Sequence, residues 1–255
     1  MNYRLCILFL LFLACPVSAA EINVATSTYC PLVCDQDKAP RDGIMHEVLR
    51  KAFEDTEHTL VFHQMPYVRA VRDTLDGAYD VITFVGSEYP DFIFVRNMDM
   101  INVVQFATLS TSTWKYDGPK SLENIRFSIP NGFRTGNPDI DDYLHAHDRD
   151  NARVRVASSD NPTMAQCQNL ECLLEGRIDA MLVGSLAFRS IERDLPGKDR
   201  VRVDPTPVAM FYNRIGFSPR LKNVEALRDL VENRIQELRI SGELQEIFRY
   251  YRINP

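Results

Sequence analysis

Hydrophobic positions along this chain change their spacing at regular intervals. Residues 22–26 and 59–62 are short β-rich segments, in which apolar positions alternate or cluster as they do in strands. In residues 43–53 the apolar side chains recur every three or four positions, which predicts a helix with one buried face. Segments of the two kinds follow each other through the rest of the chain. This order indicates an open α/β sheet with right-handed crossover connections.

The same patterns define the remaining elements. Further strands are predicted at 79–85, 103–110, 125–129, 154–156, 178–183 and 208–212. Further helices are predicted from Pro66 to Gly77, at 139–145, at 163–175, from Val224 to Ser241 and at 244–248. In the helix that begins at Pro66, we expect Val68, Val71 and Leu75 to form the buried stripe.

The N-terminus has the pattern of a secretion signal. Arg4 precedes an apolar run over residues 5–17, and small residues follow it. The run is too short to span a bilayer, so we interpret residues 1–20 as a signal peptide, with the mature chain beginning near Ala20 or Glu21. A membrane anchor, or a lipoprotein attached through Cys15, is the alternative. A signal peptide implies a periplasmic protein.

Composition and charge exclude some partners. The formal net charge is -6, and the chain has no dense stripe of Lys and Arg, so we expect no nucleic-acid partner. No second apolar run is long enough for a membrane helix. We expect a monomer of one large domain or two smaller lobes.

Four cysteines remain once the signal peptide is removed. An even number in an exported chain indicates disulfides, and the spacing favours two local pairs, Cys30–Cys34 and Cys167–Cys172. A zinc site is the alternative, although the two pairs are far apart in the sequence.

Motifs for catalysis and cofactors are weak. The segment that begins with His46-Glu47 has Arg50 where a zinc-protease helix needs a second His, and His145 and His147 have no evident third ligand. Walker loops, dinucleotide glycine motifs and nucleophile elbows are missing from the sequence. We therefore predict no enzyme activity, no cofactor and no metal site.

Four stretches resemble a known family when they are taken together. Residues 75–82 and 174–180 both carry a Gly-x-x-Asp step between a helix and a strand. Residues 114–124, and 215–219 together with 239–244, are similar to the family's entry into its second lobe and to its closing segment. The chain thus resembles the extracellular solute-binding proteins of the polar amino-acid type, which have the periplasmic binding protein-like II fold.

The resemblance implies an α/β protein with two lobes joined by two crossover strands. Lobe 1 would comprise residues 21–107 and 206–255, and lobe 2 residues 109–205. A small polar ligand would bind between the lobes and close the hinge, and the protein would deliver it to an inner-membrane ABC permease. Two alternatives on the same fold are a ligand sensor for a membrane signalling protein and an enzyme similar to cyclohexadienyl dehydratase, which an assay with prephenate or arogenate would detect.

The resemblance also implies where the ligand would bind in lobe 1. Tyr29 fits the aromatic lid position, and Tyr67 and Arg69 begin a helix near the cleft. The strand that contains Phe84 leads into Gly86, Ser87 and Glu88, which complete the lobe 1 candidates. Packing of Tyr29 and an exposed Arg69 paired with Asp73 are the structural alternatives.

In lobe 2, the loop Gly132-Phe133-Arg134-Thr135 precedes a helix and could cradle an anion, or it could simply be exposed. The family's Arg for an α-carboxylate is absent after Gly86, and counting places Gly184, followed by Ser185, where its Asp for an α-ammonium group would be. A buried ammonium without a carboxylate is costly. We therefore expect a ligand other than a standard α-amino acid, whether a carboxylate, a small aromatic compound, or a cation held by Glu88 or Asp91.

Overall fold

The structure is a computed structural model that describes residues 21–35, 37, 39–147, 149–159, 161–192 and 197–253. The predicted signal peptide, residues 1–20, lies outside this range. Within the described ranges, no helix has both the length and the apolar character needed to cross a membrane.

Ten strands and seven helices make up the described part of the chain. The strands are β1 (Glu21–Thr26), β2 (Thr59–Gln64), β3 (Val81–Gly86), β4 (Ile93–Phe94), β5 (Met100–Leu109), β6 (Phe127–Ile129), β7 (Val154–Val156), β8 (Ala180–Gly184), β9 (Val201–Val203) and β10 (Ala209–Phe217). The helices are α1 (Ile44–Phe53), α2 (Tyr67–Leu75), α3 (Pro138–Ala146), α4 (Pro162–Leu174), α5 (Ser185–Glu192), α6 (Val224–Ser241) and α7 (Glu243–Tyr250).

The strands form one mixed sheet in the order β2-β1-β3-β10-β5-β8-β6-β7, with β4 paired to β10 and β9 to β5. Strands are parallel within each half, where β1 pairs with β2 and β3, and β6 pairs with β7 and β8. The two long strands β5 and β10 are antiparallel and join the halves. They are the two predicted crossover strands.

Each half has its own hydrophobic core. The lobe 1 cores extend along the chain to Met100 and resume at Ile215, whereas the lobe 2 cores lie between Val104 and Phe211. The exceptions are Leu186 and Ala187 of α5, which pack into the core of lobe 1. The boundary between the cores of the two lobes therefore lies within the long strands β5 and β10. The exact lobe boundaries predicted near residues 107 and 206 stay predictions.

The Gly-x-x-Asp step has the same structure in both lobes. The glycine before each Asp has a positive φ, 85° in lobe 1 and 71° in lobe 2, which favours glycine. The side chain of Asp80 accepts the N–H of Asn23 at 2.8 Å, and Asp179 accepts the N–H of Arg126 at 2.8 Å. Both carboxylates therefore join the start of one strand to the start of its neighbour.

One predicted disulfide is confirmed and the other is wrong. Cys30 and Cys34 are joined. Cys167 and Cys172 both lie in α4 and are not bonded to each other. Residues five apart in an α-helix point to different sides, with Cα atoms about 8–9 Å apart. A disulfide requires less than about 7 Å, so the helix prevents this bond.

Three further differences concern short elements. Val68 is 51% exposed, so it is not part of the buried stripe of α2, whereas Val71 is buried as predicted. Helix α5 was not predicted because it follows β8 without an intervening loop. Strands β4 and β9 have only two and three residues, too few to show a period.

Candidate functional site

A cleft opens between the lobes at the carboxyl ends of the parallel strands. The loops after β1 and β3 and the start of α2 form its lobe 1 wall, and the loop after β6 and the start of α4 form its lobe 2 wall. The accessible volume of the cleft is about 50 Å³. Its lining is Tyr29, Tyr67, Phe84, Glu88, Asn102, Pro130, Asn131, Gly132, Phe133, Arg134, Pro162, Gln166, Phe211 and Asn213.

Three aromatic rings form a stacked column on the lobe 1 side. The ring of Phe84 lies 5.4 Å from Tyr29 and 5.5 Å from Tyr67, at interplanar angles of 26° and 11°. Burial raises the pKa of Tyr29 to about 12 and the pKa of Tyr67 well above its usual value. Both hydroxyls therefore stay neutral, and the column offers aromatic surface without a negative charge of its own.

The position of Tyr29 is fixed by its own loop and by Asn102. The loop is closed by the Cys30–Cys34 disulfide and by a backbone bridge between Tyr29 and Val33. The Tyr29 hydroxyl accepts a hydrogen bond from Asn102 Nδ2 at 3.2 Å, and Asn102 Oδ1 accepts the N–H of Leu186 at 3.3 Å. Tyr29 is thus attached to β5 and, through it, to α5.

Gly184 lies behind this pair, at the position where counting places the acidic anchor. A Cβ atom there would stand 2.7 Å from the Tyr29 hydroxyl and 2.7 Å from both side-chain polar atoms of Asn102. Real Cβ contacts are not this short, so no larger side chain fits without displacing the pair. The tyrosine hydroxyl and the amide occupy the space of the missing carboxylate.

Glu88 folds back over the end of β3. A Cβ atom on Gly86 would lie on the Glu88 carboxylate, so this glycine allows the close approach. Burial raises the pKa of Glu88 to about 7, although its own backbone N–H and Arg134 lower it, and Asp141 raises it further. Its Oε2 atom is buried and has no hydrogen-bond partner among the described residues.

Two amide side chains in the cleft also have an unpartnered atom. Gln166 of α4 is 1% exposed and Asn213 of β10 is 3% exposed. Gln166 Oε1 and Asn213 Nδ2 are buried and make no hydrogen bond within the described part of the chain. A buried polar atom without a partner costs about 1–3 kcal/mol, which a ligand can recover. The cleft therefore presents two acceptors and one donor to a ligand.

The lobes touch each other around the cleft. Thr163 Oγ1 of α4 accepts the N–H of Cys30 at 3.3 Å and donates to the Thr28 carbonyl at 3.4 Å. If Gly132 carried a Cβ atom, that atom would stand only 2.3 Å from Val68 Cγ2. The Val68 side chain of lobe 1 therefore packs directly against Gly132 of lobe 2. These contacts hold the two walls together.

Seven of the predicted ligand residues lie in the lining. They are Tyr29, Tyr67, Phe84, Glu88, Gly132, Phe133 and Arg134. Gly86 and Gly184 lie directly behind it, next to Glu88 and Tyr29 respectively.

The other predicted residues lie outside the lining. Arg69 and Asp91 are exposed, and Asp73 pairs with Arg72 rather than with Arg69.

Three polar residues near the cleft have structural partners. Thr135 is fully buried, and its hydroxyl donates to Asp141 at 2.9 Å. Ser185 Oγ accepts the N–H of Val103 at 3.0 Å, and Ser87 exchanges backbone and side-chain bonds with Tyr212 across β10. These residues shape the walls of the cleft.

Sequence reasoning missed several lining residues. The polar ones are Asn102, Asn131, Gln166 and Asn213, and the apolar ones are Pro130, Pro162 and Phe211. Amides in the middle of a strand or a helix belong to no motif, and pairing between strands brings Asn213 opposite Gly86. The useful signal was the Asn161-Pro162 start of α4, because helix N-termini often face ligands.

Metal ligation has no support in the described residues, where no three His, Cys, Asp or Glu side chains converge.

Comparisons with known proteins give matches only at the level of structure. No family model and no curated protein matches the sequence. A solved structure from work on glutathione import through GshT and the cystine ABC importer of Streptococcus mutans aligns with a TM-score of 0.70 at 14% identity, over 91% of this chain and 95% of that one. A histidine kinase sensor domain with similarity to periplasmic binding proteins aligns at 0.69 and 16%, over 93% and 99%.

A third structure is an ancestral amino-acid-binding protein described as a precursor of cyclohexadienyl dehydratase. It aligns with a TM-score of 0.68 at 13% identity, over 91% of this chain and 95% of that one. At such identities the likeness establishes the fold. The chain therefore has the two-lobe fold of the periplasmic binding proteins, as the resemblance predicted.

Proposed function

We propose that the chain is an extracytoplasmic solute-binding protein that captures a small polar ligand between its lobes and delivers it to an inner-membrane ABC permease. The observation that carries the proposal is the set of buried, unpartnered atoms on Glu88, Gln166 and Asn213, which come from different elements and converge on one cleft. Such groups are expected where a ligand completes their hydrogen bonds. The role is binding by a monomer, without turnover.

Hinge closure is the proposed mechanism. Among the described residues, the two long strands β5 and β10 and the bridging helix α5 connect the lobes, so the lobes can rotate about a narrow connection once the contacts across the cleft open. A ligand that contacts Glu88 in lobe 1 and Gln166 in lobe 2 binds the closed form more tightly than the open form. This difference in affinity shifts the population to the closed form, which the membrane partner then recognises.

The ligand is proposed to be something other than a standard α-amino acid. An α-ammonium group would need a carboxylate near Gly184, but the Tyr29 hydroxyl and the Asn102 amide occupy that space. The proposed periplasmic location depends on residues 1–20 acting as a signal peptide.

A second candidate function is a ligand sensor that uses the same closure. It is favoured by the likeness to a histidine kinase sensor domain over 93% of this chain. Pull-down from membranes with the ligand-saturated protein distinguishes the two roles, since the first predicts capture of a permease and the second capture of a signalling protein.

A thermal-shift screen tests the binding role. The panel holds amino acids, polyamines, dicarboxylates and aromatic acids. A compound present at about 100 times its dissociation constant adds about 2.7 kcal/mol to the free energy of unfolding, or roughly 5–10 °C for a chain of this size. We expect such a shift with a compound that is not an α-amino acid.

The Gln166→Leu variant should lose this shift. Gln245→Leu is the matched control, because its side-chain oxygen is also buried without a partner, in α7 outside the cleft. The same shift in wild type and in Gln166→Leu would contradict binding in this cleft.

A further inference from the structure

The inner part of the cleft is acidic and aromatic. Arg134 lies in the lining, but it is exposed and its guanidinium lies 5.5 Å from the ring of Tyr89, so solvent screens its charge. The Glu88 carboxylate, in contrast, has an oxygen that is fully buried. The charged group that a ligand meets inside the cleft is therefore an acid.

The groups around Glu88 determine what it can bind. Tyr29, Tyr67 and Tyr89 surround it with phenol rings, and Arg134 and Asp141 are the other charged groups that act on it. The Asp141 carboxylate already accepts the N–H groups of Thr135 and Gly136 at 2.9 and 3.0 Å, as well as the Thr135 hydroxyl. Glu88 thus remains as the carboxylate with an unused acceptor in this cleft.

We propose that the solute bound in this cleft is a small organic cation with N–H groups, an ammonium or a guanidinium ion. Its N–H groups donate to Glu88 Oε2 and Gln166 Oε1, and its body lies against the stacked column of Tyr29, Phe84 and Tyr67. The inference rests on the proposed binding function and narrows it to one chemical class.

Three features support a cation over an anion or a neutral solute. A carboxylate would face the Glu88 carboxylate, whose Oε2 atom is buried, and two like charges close together in a partly buried site repel each other strongly. Aromatic faces stabilise cations at close range. Two of the three unpartnered atoms are acceptors, so they match a ligand that carries more donors than acceptors.

The unpartnered amide of Asn213 and the volume of the cleft restrict the ligand further. Asn213 Nδ2 requires an acceptor, such as a hydroxyl, a carbonyl or a bridging water on the ligand's far side. The accessible volume of about 50 Å³ suits a ligand with few non-hydrogen atoms, because one water molecule needs about 10–15 Å³ on the same measure.

Binding of a cation should depend on the protonation of Glu88. Burial raises the pKa of the Glu88 carboxyl group to about 7, so below pH 7 this group is mostly protonated and neutral. A cation favours the ionised form, and its affinity should rise about tenfold between roughly pH 6 and pH 8, where the ionised fraction rises from about 0.1 to about 0.9. A carboxylate ligand would show the opposite dependence.

Matched pairs of probes test the proposal on the full mature chain. The cationic probes are n-butylamine, guanidine and putrescine, and butyrate and succinate are the anionic counterparts. Calorimetric titration at about pH 6 and about pH 8 should detect binding of at least one cation and of neither anion. Glu88→Gln should weaken that binding at least about tenfold, and Glu225→Gln, an exposed site on α6, should leave it unchanged.

The outcomes separate this inference from the proposed function. Binding of an anion or a neutral solute while no cation binds overturns the cation assignment and leaves the binding role intact. Cation binding that persists in Glu88→Gln, or that weakens as the pH rises, also overturns the assignment. Equal binding of a probe to wild type and to Gln166→Leu overturns the binding role of this cleft itself.

Discussion

At the level of single residues, buried polar side chains in the cleft that could bind a ligand lower the stability of the free protein. Glu88, Gln166 and Asn213 each keep a buried polar atom without a partner, although buried polar atoms usually have one. Glycines at 86 and 184 leave the space that Glu88, Tyr29 and Asn102 use. The same side chains that make the site available to a ligand therefore reduce the stability of the free protein.

Glu88 should make the stability of the protein depend on pH. Burial raises its pKa in the folded state to about 7 from 4.5. Between these values the folded state binds more protons than the unfolded state, so the free energy of unfolding falls as the pH rises through this window. We expect a loss of about 1–3 kcal/mol from this side chain between about pH 5 and pH 8.

Urea denaturation of wild type and Glu88→Gln at both pH values measures this contribution. Between the two pH values, the free energy of unfolding of Glu88→Gln should fall less than that of the wild type, and the difference should equal the loss assigned to Glu88. Glu225→Gln should behave like wild type. If the free energy of unfolding changed with pH by the same amount in wild type and in Glu88→Gln, Glu88 would not have a raised pKa in the folded protein.

Gly184 should tolerate no side chain. A Cβ atom at this position would overlap the Tyr29 hydroxyl and Asn102, so Gly184→Ala should lower the free energy of unfolding by about 1–3 kcal/mol. Denaturant unfolding gives the value directly. An alanine variant as stable as wild type would show that the Tyr29–Asn102 pair does not fill this space.

At the scale of elements, α4 connects a local sequence signal to the site. Asn161 caps its N-terminus by accepting the N–H of Met164 at 3.1 Å, and Pro162 follows in the first helical position. The first turns of this helix bring both Thr163 and Gln166 to the cleft. A defect in the cap should therefore affect stability and binding together.

Asn161→Ala should cost about 1 kcal/mol of stability and also weaken ligand binding, because it removes the cap next to the cleft. Asn137→Ala is the control, since Asn137 caps α3 by accepting the N–H of Asp139 at 3.0 Å, also donates to the Val208 carbonyl, and lies outside the lining. Thermal unfolding with and without the best solute from the screen measures both effects. If the two variants lose ligand affinity equally, the cap of α4 has no special role in the site.

The elements also show which parts of the fold can be predicted from sequence. Helices α1, α4 and α6 are long enough to repeat their apolar spacing, and both Gly-x-x-Asp steps mark a local turn. The predictions failed where the outcome depends on a helix geometry or on distant contacts. The Cys167–Cys172 disulfide failed because a continuous helix separates the two side chains. Val68 is 51% exposed and contacts Gly132 across the cleft, so it does not join the buried face of α2.

The site itself was predictable only in part. The resemblance to the solute-binding proteins implied Tyr29, Tyr67, Glu88 and the loop around Phe133, all of which line the cleft. Asn102, Gln166 and Asn213 were not found, because their role comes from strand pairing and from the facing of two lobes. Such contacts join residues that are far apart in the sequence, as Asn102 and Leu186, 84 positions apart, illustrate.

At the scale of the whole molecule, contacts across the cleft should favour closure. Thr163→Val removes two hydrogen bonds between the lobes, with the Cys30 N–H and the Thr28 carbonyl. Each such bond contributes about 0.5–1.5 kcal/mol, so we expect ligand affinity to fall roughly fivefold to a hundredfold. Thr113→Val, at an exposed position outside the lining, should bind like wild type in calorimetric titration. Unchanged affinity in Thr163→Val would mean that these bonds do not act in closure.

Small-angle X-ray scattering can show whether the two lobes close around a solute. The wild type is measured without and with a saturating amount of the solute that gives the largest thermal shift, alongside Gln166→Leu. We expect the solute to lower the radius of gyration of the wild type, towards that of the present structure, and to leave the variant unchanged. If the wild type binds the solute with no change in its scattering, the lobes do not close around the ligand.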